Sequence, residues 1–181
     1  MKIFSTIALA ATVILAASCG MLGKGAASYN PAAGTVANAT TGNSAGSALL
    51  GLYSQYKTDG KLDLSNINNI INLATLASNC QGLKSSQADT GSFLGGLISG
   101  SKKLVNQNNG SLVMEGLKKV ASANLSSLTN AASTYTANAA SKAAGAADAA
   151  ATSAIKSVNT GAAGVTSAIS ALNGIFSAFA K

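Results

Sequence analysis

The apolar positions of this chain divide it into segments with different patterns. Residues 3–17 form an almost unbroken apolar run, whereas residues 20–46 show no sustained apolar period. Residues 47–128 repeat apolar side chains at the spacing of amphipathic helices. From Ala131 alanine dominates, and regular apolar spacing returns at Ile155. Strand-like alternation is missing, so the sequence predicts an all-α fold.

Residues 47–128 are expected to form a small bundle of four helices. The turn chemistry of Asp59-Gly60 ends the first helix, Gly82 marks the end of the second, and a polar run up to Gly110 ends the third, which is expected to include Leu104 and Val105. The fourth runs towards Leu128. The expected helix starts or caps are Ser47, Ser65, Asp89 or Thr90, and Ser111.

The second of these helices carries the widest apolar stripe, which predicts a central position. Cys80 lies among leucines and alanines at helical spacing, so we expect it to be a small buried hydrophobic side chain. The helix also carries five asparagines, which we expect to form a solvated polar face. They are Asn66, Asn68, Asn69, Asn72 and Asn79.

The C-terminal third, residues 129–181, predicts a long alanine-rich amphipathic helix, because alanine has the highest helix propensity. Its final part carries apolar residues spaced alternately by three and four, the pattern of a heptad seam. We call this set the C-terminal seam, and it is a candidate interaction surface. Its members are Ile155, Val158, Ala162, Val165, Ile169, Leu172, Phe176 and Phe179.

Three roles for the C-terminal seam remain open at this point. It could fold back onto the helical domain, associate with a second copy of the chain, or dock onto a membrane or another envelope protein. The flanking positions are Ser, Thr, Ala and Gly, which would specify the register of a coiled coil poorly.

The first residues have the layout of a secretory signal. Lys2 supplies a positive charge, an apolar run of about 15 residues follows, and small residues precede Cys19. A run of that length is shorter than the roughly 20 residues that a membrane-spanning helix needs. We therefore expect residues 1–18 to be a cleaved signal peptide.

The segment Leu15-Ala16-Ala17-Ser18-Cys19 resembles the lipobox of bacterial lipoproteins. The resemblance implies cleavage before Cys19, diacylglycerol on its thiol and a lipid-anchored envelope protein; Gly20 suits sorting to the outer membrane. The chain as a whole resembles small Ala/Ser-rich lipoproteins of Gram-negative bacteria that have no assigned activity. Because Ala16-Ala17-Ser18 also suits ordinary cleavage, a secreted, non-lipidated helical binding protein is the alternative.

A further resemblance rests on features at the two ends of the chain. Cys19, the C-terminal seam and the terminal Lys181 are similar to features of the murein-type lipoprotein. That resemblance implies a covalent link from Lys181 to peptidoglycan. Between Cys19 and the helical domain, residues 19–46 are rich in small and polar side chains and predict a disordered linker with a reach of roughly 25–30 Å.

Composition narrows the class of function. The 12 basic residues are all lysine and outnumber the 5 acids, which gives a formal charge of +7. Arginine and histidine, the common groups for phosphate recognition and for acid–base or metal chemistry, do not occur. The lysines are scattered, so no nucleic-acid partner is expected. Without a catalytic motif, metal cluster or cofactor loop, the sequence predicts a non-enzymatic protein; an unrecognised enzyme is the remaining alternative.

Overall fold

The computed structural model describes residues 36–140 and 144–179, and every regular element in those ranges is a helix. The predicted all-α fold is therefore confirmed. The elements are α1 (Ala39–Asp59), α2 (Ile67–Cys80), a 3-10 helix (Gln81–Lys84), α3 (Thr90–Gly100), α4 (Gly110–Ser122), α5 (Ser126–Ala140), α6 (Ala144–Ser157) and α7 (Ala163–Phe179).

Local capping interactions determine where the first helices begin and where α1 ends. Asn38 and Thr41 form a reciprocal capping box at the start of α1, and Gly60 ends that helix in the left-handed conformation. The Asp89 side chain accepts a hydrogen bond from the Ser92 amide, so the predicted start of the third helix is confirmed. At the start of α2 the cap is Asn66, not the predicted Ser65, because the Asn66 side chain accepts from the Asn68 amide at 2.9 Å.

The centre of the bundle is α2, as predicted. It packs against α1, α4 and α5, and ten of its 14 residues are buried. Those ten include Asn69 and Asn79, so the expected solvated asparagine face is wrong at these two positions. Each buried amide donates to a backbone carbonyl oxygen, Asn69 to Asp63 at 2.7 Å and Asn79 to Thr75 at 2.8 Å. The hydrogen bonds offset the cost of removing the amides from water.

The first helix begins eight residues earlier than the sequence predicted. Residues 39–46 were expected to belong to the linker, but they form the first two turns of α1, and four of them are buried. The small side chains that resembled a linker have a packing role here. They let the backbone of α1 approach the backbone of α3, which is the most extensive helix–helix contact among the described residues.

Glycines permit this close approach on both helices. A Cβ atom on Gly42 or Gly46 would overlap the carbonyl oxygen of Phe93 or Leu97 in α3. A Cβ atom on Gly96 or Gly100 would overlap a carbonyl oxygen of α1 in the same way. The paired positions advance together along both helices, so α1 and α3 run parallel. Helices at this separation gain dispersion contacts and Cα–H···O contacts along the whole interface.

After α3 the chain departs from the predicted boundaries. The helix ends at Gly100, so Leu104 and Val105 lie beyond it, although Val105 is fully buried. Lys102 and Lys103 both adopt positive φ angles, 51° and 69°, which a continuing α-helix cannot accommodate. The buried Ser101 hydroxyl stabilises the turn by accepting a hydrogen bond from the Val105 amide at 3.1 Å. The fourth helix likewise ends earlier than expected, at Ser122.

The alanine-rich region is not the single long helix that was predicted. It contains α5, α6 and α7, and α5 packs against α6 as a separate helix. A second interruption separates α6 from α7 at residues 158–162. There the Ala162 amide donates to the Asn159 carbonyl oxygen at 3.1 Å, which closes a turn. Helix propensity favoured continuity, but packing of each helix on the bundle outweighs it.

Several expectations concern residues outside the described ranges. The signal peptide (residues 1–18), Cys19, linker residues 20–35 and Lys181 all lie there. Among the helices that the structure describes, none has the length and apolarity needed to cross a lipid bilayer.

Substitution of Gly96 by alanine tests the backbone contact between α1 and α3. The added Cβ atom would overlap the Ala39 carbonyl oxygen, so the helices must separate. We expect the free energy of unfolding, measured by urea denaturation, to fall by about 1–3 kcal/mol. Gly95→Ala is the matched control, because Gly95 has no neighbour within 4 Å. In the control, the higher helix propensity of alanine should raise the free energy of unfolding by about 0.5–1 kcal/mol. Equal effects of the two substitutions would contradict the contact.

Candidate functional site

The C-terminal seam is the candidate surface that the structure locates. Val165, Leu172 and Phe176 are fully buried, and Val158 is nearly so. The remaining large side chains of the seam, Ile155, Ile169 and Phe179, are partly buried against the core. Of the three roles left open by the sequence, the structure shows the first: the seam folds back onto the helical domain.

The main support for α7 is α4. Gly116 of α4 lies under Ile175, and a Cβ atom on Gly116 would come within 2.5 Å of the Ile175 Cδ1 atom. Near the start of α7, Gly164 packs directly against the backbone of Asn124. Glycines thus let α7 approach the bundle at two points, so Gly164 contributes to packing as well as lowering helix propensity.

Aromatic side chains attach the end of α7 to α1. The Phe176 ring lies 5.5 Å from the Tyr53 ring and 5.1 Å from the Tyr56 ring, measured between centroids. Phe179 meets Tyr53 edge to face at 5.4 Å. Such tilted and edge-to-face arrangements are favourable beyond the area they bury. The aromatic cluster therefore joins the first and the last described helices.

The heptad rule identified most of this buried face but missed two members. Ala168 and Ile175 are also buried, because a straight helix has a wider contact face than a two-position seam. The tyrosine partners on α1 were recognised only as apolar positions of that helix. The interruption at residues 158–162 was missed because the apolar spacing continues through it.

Two partly buried residues of the seam border a cleft at the turn between α6 and α7. Ile155 and Ile169 line it on one side, and the loop between α1 and α2 lines the other. The cleft is a shallow depression of about 390 Å³ that is open to solvent. Its walls are mainly apolar, with a single carboxylate. The lining residues are Leu62, Asp63, Leu64, Ser65, Ile155, Thr160 and Ile169.

That carboxylate, Asp63, is already engaged by its neighbour. Its two oxygens accept hydrogen bonds from the Ser65 amide at 2.8 Å and the Ser65 hydroxyl at 2.7 Å. These bonds, first the backbone one and then the hydroxyl one, lower the pKa of Asp63, and Lys61 adds to the effect. The side chain is thus an ionised cap for the loop, and its lowered pKa makes it a weak base.

Two other groups with a shifted pKa, Cys80 and Asp89, are not among the residues that line the cleft. Cys80 is fully buried, as predicted, and burial raises the pKa of its thiol. Hydrogen bonds from Ser92 lower the pKa of Asp89 at the start of α3. Within the part of the chain that the structure describes, no three His, Cys, Asp or Glu side chains come together as a metal site would require.

The chain matches no family model, no curated protein sequence and no solved structure.

Phe176→Ala tests the attachment of α7. The ring is fully buried between the aromatic residues of α1 and α7, so its loss should lower the free energy of unfolding by about 3–5 kcal/mol. Phe179→Ala, at a partly buried position of the same cluster, should lower the free energy of unfolding by clearly less. Chemical denaturation of both variants measures this. Equal losses would place the two rings in equivalent environments, against the structure.

The buried thiol of Cys80 predicts a pH dependence of stability. Its folded-state pKa lies above the ordinary value of 9.0, so above pH 9 the unfolded chain loses a proton that the folded chain retains. Stability should therefore fall with a slope of up to about 1.4 kcal/mol per pH unit from this group. The slope is obtained by comparing wild type with Cys80→Ala between pH 8 and pH 10. Identical slopes for the two proteins would show that the thiol is not buried.

Proposed function

We propose that this protein is a lipid-anchored, non-enzymatic protein of the bacterial cell envelope, attached through acyl chains on Cys19 to the outer membrane. The observation that carries the proposal is the apolar run of residues 3–17, followed directly by small residues and Cys19. The positive charge at Lys2 and the short apolar run suit export and cleavage.

Lipid on Cys19 supplies enough free energy for stable attachment. Each buried methylene contributes about 0.8 kcal/mol, and two chains together hold a protein firmly where one chain holds it marginally. Membrane lipid is therefore the first partner of this protein. The residues between Cys19 and Val36 would connect the lipid to the helical domain.

The chemistry of the described residues supports a role other than catalysis. Catalysis by acid–base or nucleophilic chemistry would need a base or nucleophile near a second polar group. Cys80 is enclosed by the core, and Asp63 and Asp89 each bond to a serine of their own loop or cap. Both carboxylates accept a hydrogen bond from a backbone amide of the same loop or cap, which is a structural role.

The cationic surface supports an interaction role in the envelope. All eight lysines with described side chains are exposed, and they are spread over several elements of the bundle. A diffuse positive surface suits anionic headgroups or anionic cell-wall polymers. We propose that the domain acts by structure or by binding at this surface.

The mass of the membrane-extracted protein tests the anchor. We expect a mature N-terminus at Cys19 that carries diacylglyceryl and acyl mass, and Cys19→Ala should lack both the lipid mass and the membrane attachment. Cys80→Ala is the matched control, because the buried thiol should leave lipidation unchanged. A soluble, unmodified product cleaved after Ser18 would instead identify the secreted alternative. A muropeptide joined to Lys181 would identify a wall-linked form.

A further inference from the structure

The turn between α6 and α7 has the properties of a hinge. The apolar spacing of the C-terminal seam continues through it from Ile155 to Val158, Ala162 and Val165 without a change of register. A continuous helix over this segment would therefore present one unbroken seam. The sequence supports two forms of the same segment, one bent and one straight.

Short-range backbone hydrogen bonds close the turn. Among the described residues, positive φ angles occur only at Gly60, Lys102 and Lys103, so residues 158–162 contain no left-handed position. The Val158 amide donates to the Ile155 carbonyl oxygen and the Ala162 amide to the Asn159 carbonyl oxygen, three residues earlier in each case, and the Thr160 amide donates to the Val158 carbonyl oxygen, two residues earlier. Straightening requires these amides to bond in the i−4 pattern of an α-helix, a shift of one residue for Val158 and Ala162 and of two residues for Thr160.

The two helices that flank the turn hardly contact each other. α6 packs against α5 and α2, whereas α7 packs against α4 and reaches α1 through the aromatic cluster. The cleft of about 390 Å³ beside Thr160 leaves space at the turn itself. Straightening the turn therefore breaks little between α6 and α7, and its main cost is the removal of α7 from α4 and α1.

A second copy of the chain can restore everything that α7 loses. We propose that residues 158–162 form a hinge through which α7 is exchanged between two copies of this chain. In the exchanged dimer, α6 and α7 form one helix. Each α7 then packs on the partner copy's equivalents of its own α4 and α1 surfaces, and every contact of the closed form is retained. The inference does not depend on lipidation.

Helix propensity at the hinge shifts the equilibrium between the bent monomer and the exchanged dimer. Gly161 is exposed in the turn, and a Cβ atom there would meet only the Asn159 Oδ1 atom, at 3.6 Å. Alanine at this position is thus accommodated in the bent form and favours the straight form by about five-fold. Because a dimer contains two hinges, Gly161→Ala should raise the dimer association constant by roughly 25-fold.

The experiment is light scattering of the purified full chain in detergent micelles, across a dilution series. We expect a monomer–dimer equilibrium for the wild type and tighter dimers for Gly161→Ala. Gly174→Ala is the matched control. It makes the same chemical change inside α7, where nothing lies within 4 Å and the residue is helical in both forms, so the association constant should not move.

Gly161→Pro supplies the opposite test. Proline interrupts a straight helix at this position, so the variant should be monomeric at concentrations where the wild type forms dimers. Monomers at every concentration for both the wild type and Gly161→Ala would overturn the proposal. Dimers that persist in Gly161→Pro would also overturn it, since they would form through another surface. If Gly161→Pro does not fold, the comparison of Gly161→Ala with Gly174→Ala decides alone.

Discussion

The approach of α1 to α3 at backbone distance is the constraint on which the arrangement of the other helices depends. Gly42, Gly46, Gly96 and Gly100 leave no side chain between the two backbones, and their pairing makes α1 and α3 parallel. The chain that connects them, which includes α2, must then return to the end of the bundle where α1 begins, and most residues of α2 are buried, in contact with α1, α4 and α5. Glycine lowers helix propensity by roughly 1 kcal/mol, so these helices are stable because they pack together.

The last helix is held differently from the first three. α7 reaches the bundle through Gly116, through Gly164 and through the rings around Phe176, while its connection to α6 is a short turn. The proposed hinge at this turn would let α7 leave the domain as a unit. In an envelope protein anchored at its N-terminal end, such a helix would provide a contact between neighbouring copies away from the lipid.

The apolar period predicted the central position of α2 and the existence of α4, although α4 ends earlier than predicted, and capping chemistry predicted the start of α3 at Asp89. The prediction failed where one sequence pattern is compatible with two structures. Residues 39–46 have the composition of a linker, and only the glycines of a distant segment, α3, make them a buried helix. Residues 158–162 carry the heptad spacing of a helix but form a turn. The seam residues of the candidate site were identified from sequence, whereas Leu62 and Leu64, the opposite wall of the cleft, come from a loop that no local pattern connects to them.

Native-state hydrogen exchange tests this account most directly, because it measures the free energy at which each helix opens. The account predicts that the amides of α1, α2 and α3 exchange only through global unfolding. The amides of α7 should exchange through a separate opening of lower free energy. If α7 were protected as strongly as the glycine-packed helices, or if α1 opened before α7, the backbone contact would not be the foundation of the fold.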